Sequence, residues 1–181
     1  MATATHPGTA EVWDWLGEVP DPEIPVISLT DLGIVRDVAW DDDTLVVTVT
    51  PTYSGCPATA IINLDIEKAL HERGIEKLRL ERRLSPPWTT DWISAEGRDK
   101  LRAYGIAPPV GLAATQSIAV GDIGRTSSRR AWRPPGAPAG LACPQCGSTN
   151  VQLTSQFGST PCKASYRCDD CLEPFDYFKC I

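Results

Sequence analysis

Apolar positions along the first hundred residues follow two rhythms, one helical and one alternating, and together they predict an ordered series of elements. Between Thr9 and Val19, residues Val12, Trp13 and Leu16 fall on one face of a short helix capped by Thr9. Pro20, Pro22 and Pro25 end it; by removing backbone donors they predict a stiff, extended loop presenting the carboxylates of Asp21 and Glu23. Ile34 to Trp40 and Thr44 to Thr50 are dense in apolar and β-branched residues. With the Asp41-Asp42-Asp43 turn between them, they read as a β-hairpin that delivers Thr50 and Thr52 to one end. A helix is predicted over residues 57–73, with Pro57 in its first turn, Gly74 as its stop, and an apolar stripe of Ala58, Ile61, Ile62, Ile66, Ala69 and Leu70. Leu78 and Leu80 alternate with charged neighbours, as in a strand covered on one face, and residues 94–104 read as a helix closed by Gly105.

The expected architecture is an α+β domain over residues 1–108, a small mixed sheet with helices. A proline- and glycine-containing linker is expected over 109–140, then a small β-rich module over 141–181. Within the linker, residues 110–120 are apolar enough to dock on something, and Arg125, Arg129, Arg130 and Arg133 make a local positive charge.

Charge narrows the class of partner. The net charge is −6, and the first domain carries most of the acidity, which repels phosphate backbones and disfavours nucleic acid as the principal partner. No apolar run is long enough to span a bilayer, and residues 1–7 do not resemble an export signal, so the chain reads as cytoplasmic with no membrane partner.

Six of the seven cysteines fall after residue 142. In a reducing compartment that crowding points to metal ligation rather than disulfides. Cys143-Pro-Gln-Cys146 and Cys168-Asp-Asp-Cys171 are two C-x-x-C knuckles whose spacing suits a four-thiolate tetrahedron, filled by structural zinc or by iron or an iron–sulfur cluster. A module of some forty residues buries little core, so the ion is expected to supply much of its folding free energy. Phe175, Tyr177 and Phe178 are expected to be its core. Cys162 and Cys180 stand outside the tetrahedron and read as buried thiols, a disulfide pair, or ligands of a second, labile iron or cluster.

Cys56, in Ser54-Gly55-Cys56-Pro57, is placed by the pattern at the cap of the predicted helix. Backbone amides and the macrodipole there favour a thiolate. No histidine accompanies it as a base: His6 lies in the N-terminal segment and His71 in the helix's last turn, so a hydrolase is disfavoured.

Three segments resemble a known domain: Asp21-Pro-Glu-Ile-Pro-Val26, Asp31-Leu-Gly-Ile-Val35, and Thr48-Val-Thr-Pro-Thr-Tyr-Ser-Gly-Cys-Pro57 are similar to the SufT-like and MIP18-like iron–sulfur assembly factors. Pro87-Trp-Thr-Thr-Asp-Trp-Ile93, the knuckles, Phe157-Gly-Ser-Thr-Pro-Cys-Lys163 and Glu173-Pro-Phe-Asp-Tyr-Phe-Lys-Cys180 extend the resemblance to the PaaD family of the phenylacetyl-CoA epoxidase system. The resemblance implies a non-catalytic maturation factor for iron or iron–sulfur centres. Its implied partners are the oxygenase and reductase subunits of that monooxygenase, together with iron–sulfur assembly machinery. It puts the family's reactive cysteine on Cys56, its acidic loop on Asp21 and Glu23, and its threonines on Thr50 and Thr52. A scaffold subunit and, behind it, a zinc-ribbon nucleic-acid binder are the alternative functions.

Overall fold

In a computed structural model of the 181-residue chain, residues 6–53, 55–110 and 137–179 are described, and they form two compact units that divide between Leu101 and Arg102. In the first unit, helix α1 spans Thr9–Gly17 and buries Val12 and Leu16. Its N-cap is Gly8 rather than Thr9, so no side chain caps it.

Strands β1 (Val35–Asp41) and β2 (Thr44–Val49) form the expected antiparallel hairpin, with Asp42 left-handed at φ 53° in the turn. Strand β3 (Leu78–Arg82) runs parallel to β2, giving the order β1-β2-β3. A parallel neighbour needs a crossover, and helix α2 (Thr59–His71) supplies it. As the central strand, β2 is buried from Leu45 to Val49, which is why its sequence is apolar and β-branched on both faces instead of alternating with charged residues.

Helix α2 buries Ile62, Ile66 and Leu70, one residue per turn. Ile61 was expected in that stripe but is 52 % exposed. It lies about 100° round the helix from Ile62, and a stripe one residue wide per turn cannot hold both. The helix ends where Gly74 turns left-handed at φ 87°, its amide reaching the His71 carbonyl at 2.9 Å.

Helix α3 (Ala95–Ala103) is tied to the turn before β1 by Asp31, a buried residue that opens one of the family-like segments but to which periodicity and spacing assign no role. The Asp31 carboxylate accepts hydrogen bonds from Ser94 Oγ at 2.7 Å, Ser28 Oγ at 2.9 Å and Lys100 Nζ at 2.7 Å. Burial pushes this carboxyl upward, but Lys100, Ser94 and Ser28 together outweigh it and hold it below its ordinary value of 3.8. A group depressed in the folded state stabilises above its unfolded pKa and loses that contribution as pH falls through the folded value. Asp31→Asn is therefore expected to cost about 1.5–3 kcal/mol at neutral pH. In urea titrations the wild-type advantage should vanish on acidification below pH 3.8. An equal difference at pH 7 and in strong acid would refute the account.

The second unit is a four-stranded sheet ordered β4-β7-β6-β5, from β4 (Ile106–Ala107), β5 (Val151–Ser155), β6 (Lys163–Cys168) and β7 (Pro174–Phe178). Ile106 and Ala107, assigned by pattern to the first domain, pair in parallel with Asp176 and Tyr177 of β7. Both are buried, and two apolar residues gain backbone partners and cover at once by joining this sheet. Tyr166 stacks on Phe175 at 5.9 Å and meets Tyr177 edge-on at 5.7 Å, forming the aromatic centre of a core that includes Leu141 and Ala164. Phe175, Tyr177 and Phe178 are buried, as expected of core residues. Most of the 109–140 linker, with its four arginines, lies outside the described residues. Among the described residues no helix is long and apolar enough to cross a membrane.

Candidate functional site

The strongest local chemistry lies where the two knuckles meet. Cys143 and Cys146 turn just before β5, and Cys168 and Cys171 form the turn between β6 and β7. Each knuckle closes on itself: the Cys143 amide donates to the Ser148 carbonyl at 2.8 Å and the Cys168 amide to the Glu173 carbonyl at 2.9 Å. Cross-bonds lock the pair, from the Asp169 amide to the Asn150 carbonyl and from Ser148 and Asn150 side chains to the Asp170 carboxylate.

All four sulfurs lie within 4.8 Å of one another. Cys143 and Cys171 are 3.7 Å apart and Cys146 and Cys168 3.6 Å, far beyond the about 2.05 Å of a disulfide. A tetrahedral ion with metal–sulfur bonds of about 2.3 Å requires sulfur separations of about 3.8 Å, so the donor set fits a single four-coordinate ion. Cys143 and Cys168 are buried while Cys146 and Cys171 are exposed, so the site sits at the rim of the core.

Protonation indicates what a cation would change at these thiols. The Cys171 amide, then the Asp170 amide, stabilise a Cys168 thiolate against burial and bring its pKa down to about 7. For Cys171 the Glu173 amide pulls downward, but burial and the neighbouring thiols push it up to about 12. Four negative charges cannot share this space alone; a divalent ion would compensate them and release the protons.

Of the other cysteines, Cys162 lies at the opposite end of β6, six residues or roughly 20 Å of strand from Cys168. It is buried, with Sγ 3.0 Å from Thr160 Oγ1, and is not one of the four clustered ligands. Cys180 lies outside the described residues.

In the first unit, Cys56 is half-buried and stands two residues before Ala58, the N-cap of α2. Pro57 therefore precedes the helix rather than opening it, and Cys56 is not the cap. Its carbonyl, not its side chain, holds the helix start, accepting from the Thr59 amide and hydroxyl at 3.3 Å and 2.9 Å. The loop carrying Cys56 begins at Thr50, whose amide donates to Ile34 at 2.8 Å. Thr50 and Thr52 are both buried, and the Thr50 hydroxyl makes no hydrogen bond among the described residues. An idle buried hydroxyl costs free energy, and that cost calls for an explanation.

The Asp21 loop differs from the extended, carboxylate-presenting segment expected. It is pinched shut by the Pro20–Ser28 bridge and by the Asp21 amide donating to Ile27 at 2.8 Å. Asp21 is buried, with Oδ1 accepting the amides of Glu23 and Ile24 at 2.9 Å each; Glu23 stays half-buried. Successive bonds from Leu29 to Val19, Ile34 to Leu29 and Thr50 to Ile34 connect this loop to the base of the Cys56 loop.

Both units match known families, and the matches define the class of protein. Residues 9–75 match the family described as an iron-sulfur cluster assembly protein, and residues 127–179 match the PaaD zinc beta ribbon domain. Over all 181 residues the chain is 45 % identical to a putative 1,2-phenylacetyl-CoA epoxidase subunit of Escherichia coli (strain K12), covering 98 % of it. The chain belongs to the PaaD family. Its first part is also 38 % identical, over 81 residues and 78 % of that protein, to the Fe-S protein maturation auxiliary factor YitW of Bacillus subtilis (strain 168). A crystal structure of a domain of unknown function from Bacillus anthracis aligns over 51 % of this chain and 89 % of its own, with 28 % identity and a TM-score of 0.47.

Proposed function

We propose that this chain is an accessory factor that delivers iron or an iron–sulfur cluster to the multicomponent phenylacetyl-CoA epoxidase, and is not itself the oxygenase. The observation that carries the reading is the contrast between its two thiol sites. Four sulfurs within 4.8 Å saturate one ion and leave no open position, which suits a permanent structural zinc and leaves no room for the several irons of a cluster. Cys56 is a single, half-buried thiol on a loop that begins at Thr50, whose buried hydroxyl has no hydrogen-bond partner among the described residues. A cargo held by few ligands is one that a recipient can displace. In this reading Cys56 binds the cargo, Thr50 and Thr52 offer hydroxyls to it, and Asp21 orders the neighbouring loop while Glu23 contributes charge. The maturation-factor names of the relatives of the first unit support the same role.

The test is anaerobic reconstitution with ferrous iron and sulfide, followed by transfer to the separately prepared apo oxygenase or apo reductase subunit. Cys56→Ala is expected to lower transfer at least tenfold while the ribbon's metal content stays constant. Transfer equal to wild type would sink the carrier role. A second reading, a non-catalytic scaffold, is favoured because the full-length relative is named as an epoxidase subunit. It predicts a stoichiometric complex whose activity survives replacement of every cysteine outside the knuckles.

A further inference from the structure

The two knuckles repeat one backbone path, yet they differ at one residue. The position after each second cysteine turns left-handed, Gly147 at φ 75° and Leu172 at φ 66°. Glycine adopts this conformation without strain, whereas a leucine there pushes its Cβ against the backbone. Leu172 recovers little by burial, since it is 60 % exposed. Knuckle closure explains the left-handed turn, and neither that closure nor the core explains a large apolar side chain on it.

The surroundings carry a second signal. Residues 169–174 are exposed as a continuous run, and Asp169, Asp170 and Glu173 place three carboxylates beside the leucine, with Arg167 preceding them on β6. Ser148 and Asn150 hold Asp170, so the rim is fixed in place along with the knuckle.

We propose that Leu172 is the anchor of a protein-docking surface whose partner presents an apolar pocket rimmed by lysine or arginine. An apolar knob inside a charged rim matches the anatomy of an interface hot spot, and a turn locked by a metal offers it already ordered. The acidic rim selects a basic protein surface and repels nucleic acid and anionic lipid. With the epoxidase subunits as probes, the inference rests on the delivery reading, but its readout is binding rather than transfer.

The test uses the full, metal-loaded chain and the purified oxygenase and reductase subunits of its own epoxidase system, with affinity measured by calorimetry. Leu172→Gly removes both the side chain and the strain. The ribbon should keep its metal and melt at the same or a higher temperature, while affinity falls at least tenfold. Leu172→Asn, which also tolerates the left-handed turn, should lose binding to the same extent, and Glu173→Gln should weaken the salt dependence of association. Unchanged affinity in Leu172→Gly overturns the docking surface, even if Cys56→Ala abolishes transfer. A dimer of this chain that depends on Leu172 also overturns it, with a second copy as the occupant. Lost transfer in Leu172→Gly with affinity intact would count against docking only. Normal binding by Cys56→Ala with normal transfer would count against delivery only. A wild-type chain that binds neither subunit overturns both.

Discussion

Stripping the ion from Cys143, Cys146, Cys168 and Cys171 with a chelator is expected to unfold the second unit and leave the first folded. Structural zinc sites contribute about 10–16 kcal/mol in small zinc-binding peptides at neutral pH, as much as the whole stability of a typical domain. Here the dependence is built into the core, because the buried cluster of Ala107, Leu141, Ala164, Tyr166, Phe175 and Tyr177 also includes two of the four clustered cysteines, Cys143 and Cys168. Removing the ion leaves thiols whose ionised forms repel one another, and their knuckles hold β5, β6 and β7 in register. Hydrogen exchange separates the two units: amides of Lys163–Cys168 should lose protection on chelation while those of Thr44–Val49 keep theirs. Cys168→Ser should act likewise without a chelator. Persistent protection of β6 in the metal-free chain would mean that the ion is a passenger rather than the pin of the fold.

Gly33→Ala is expected to destabilise the first unit by about 3 kcal/mol or more, a large effect for a single methyl group. Gly33 sits at φ 68°, and a Cβ there would lie 2.8 Å from both the Cβ and the carbonyl oxygen of Trp92. Neither the Trp92 Cβ nor its carbonyl oxygen moves with a side-chain rotation, so no rotamer change relieves the contact. Trp92 is held in turn by the Arg36 guanidinium, 3.6 Å above its ring, and by the Trp92 amide donating to Thr89 at 3.1 Å. Gly74→Ala is the internal comparison. Its φ of 87° imposes a similar backbone penalty, but nothing lies within 4 Å of the added carbon, and about 1 kcal/mol is expected. Urea unfolding of both variants decides the matter; equal losses would show that the close approach to Trp92 relaxes freely.

How far sequence alone reaches depends on whether a feature is local. The knuckles are legible because two cysteines three residues apart face one ion through the geometry of a single turn, whatever surrounds them. The β1–β2 hairpin and α2 are legible for the same reason, since turn chemistry and a helical stripe act over a few residues. Errors arise where one residue competes for two places. Ile61 and Ile62 are equally apolar, and only the packed face of α2 decides that Ile62 is buried. Pro57 suits a first helical turn, yet the Cys56 carbonyl accepts two bonds from Thr59 and starts the helix later. Asp21 has the composition of a presented carboxylate, and the closure of its own loop turns it inward.

Asp31 opens a family-like segment, but its role in the fold has only a partial local signal. The spacing Ser28-x-x-Asp31 carries the reciprocal pattern of a capped turn, with the Asp31 amide donating to Ser28 Oγ at 3.1 Å. Ser94 and Lys100, its partners across 63 and 69 residues, have no local signature at all.

By itself, then, the sequence determined the β1–β2 hairpin, the body of α2 and the two cysteine knuckles whose thiols cluster, because each follows from periodicity or spacing within one short segment. Only the tertiary structure decided that Ile106 and Ala107 join the ribbon's sheet, that the Thr50 hydroxyl is buried without a hydrogen-bond partner among the described residues, and that Leu172 holds a left-handed turn in the open. Each of these depends on burial or on pairing between residues far apart in the chain, and no run of neighbouring residues encodes either.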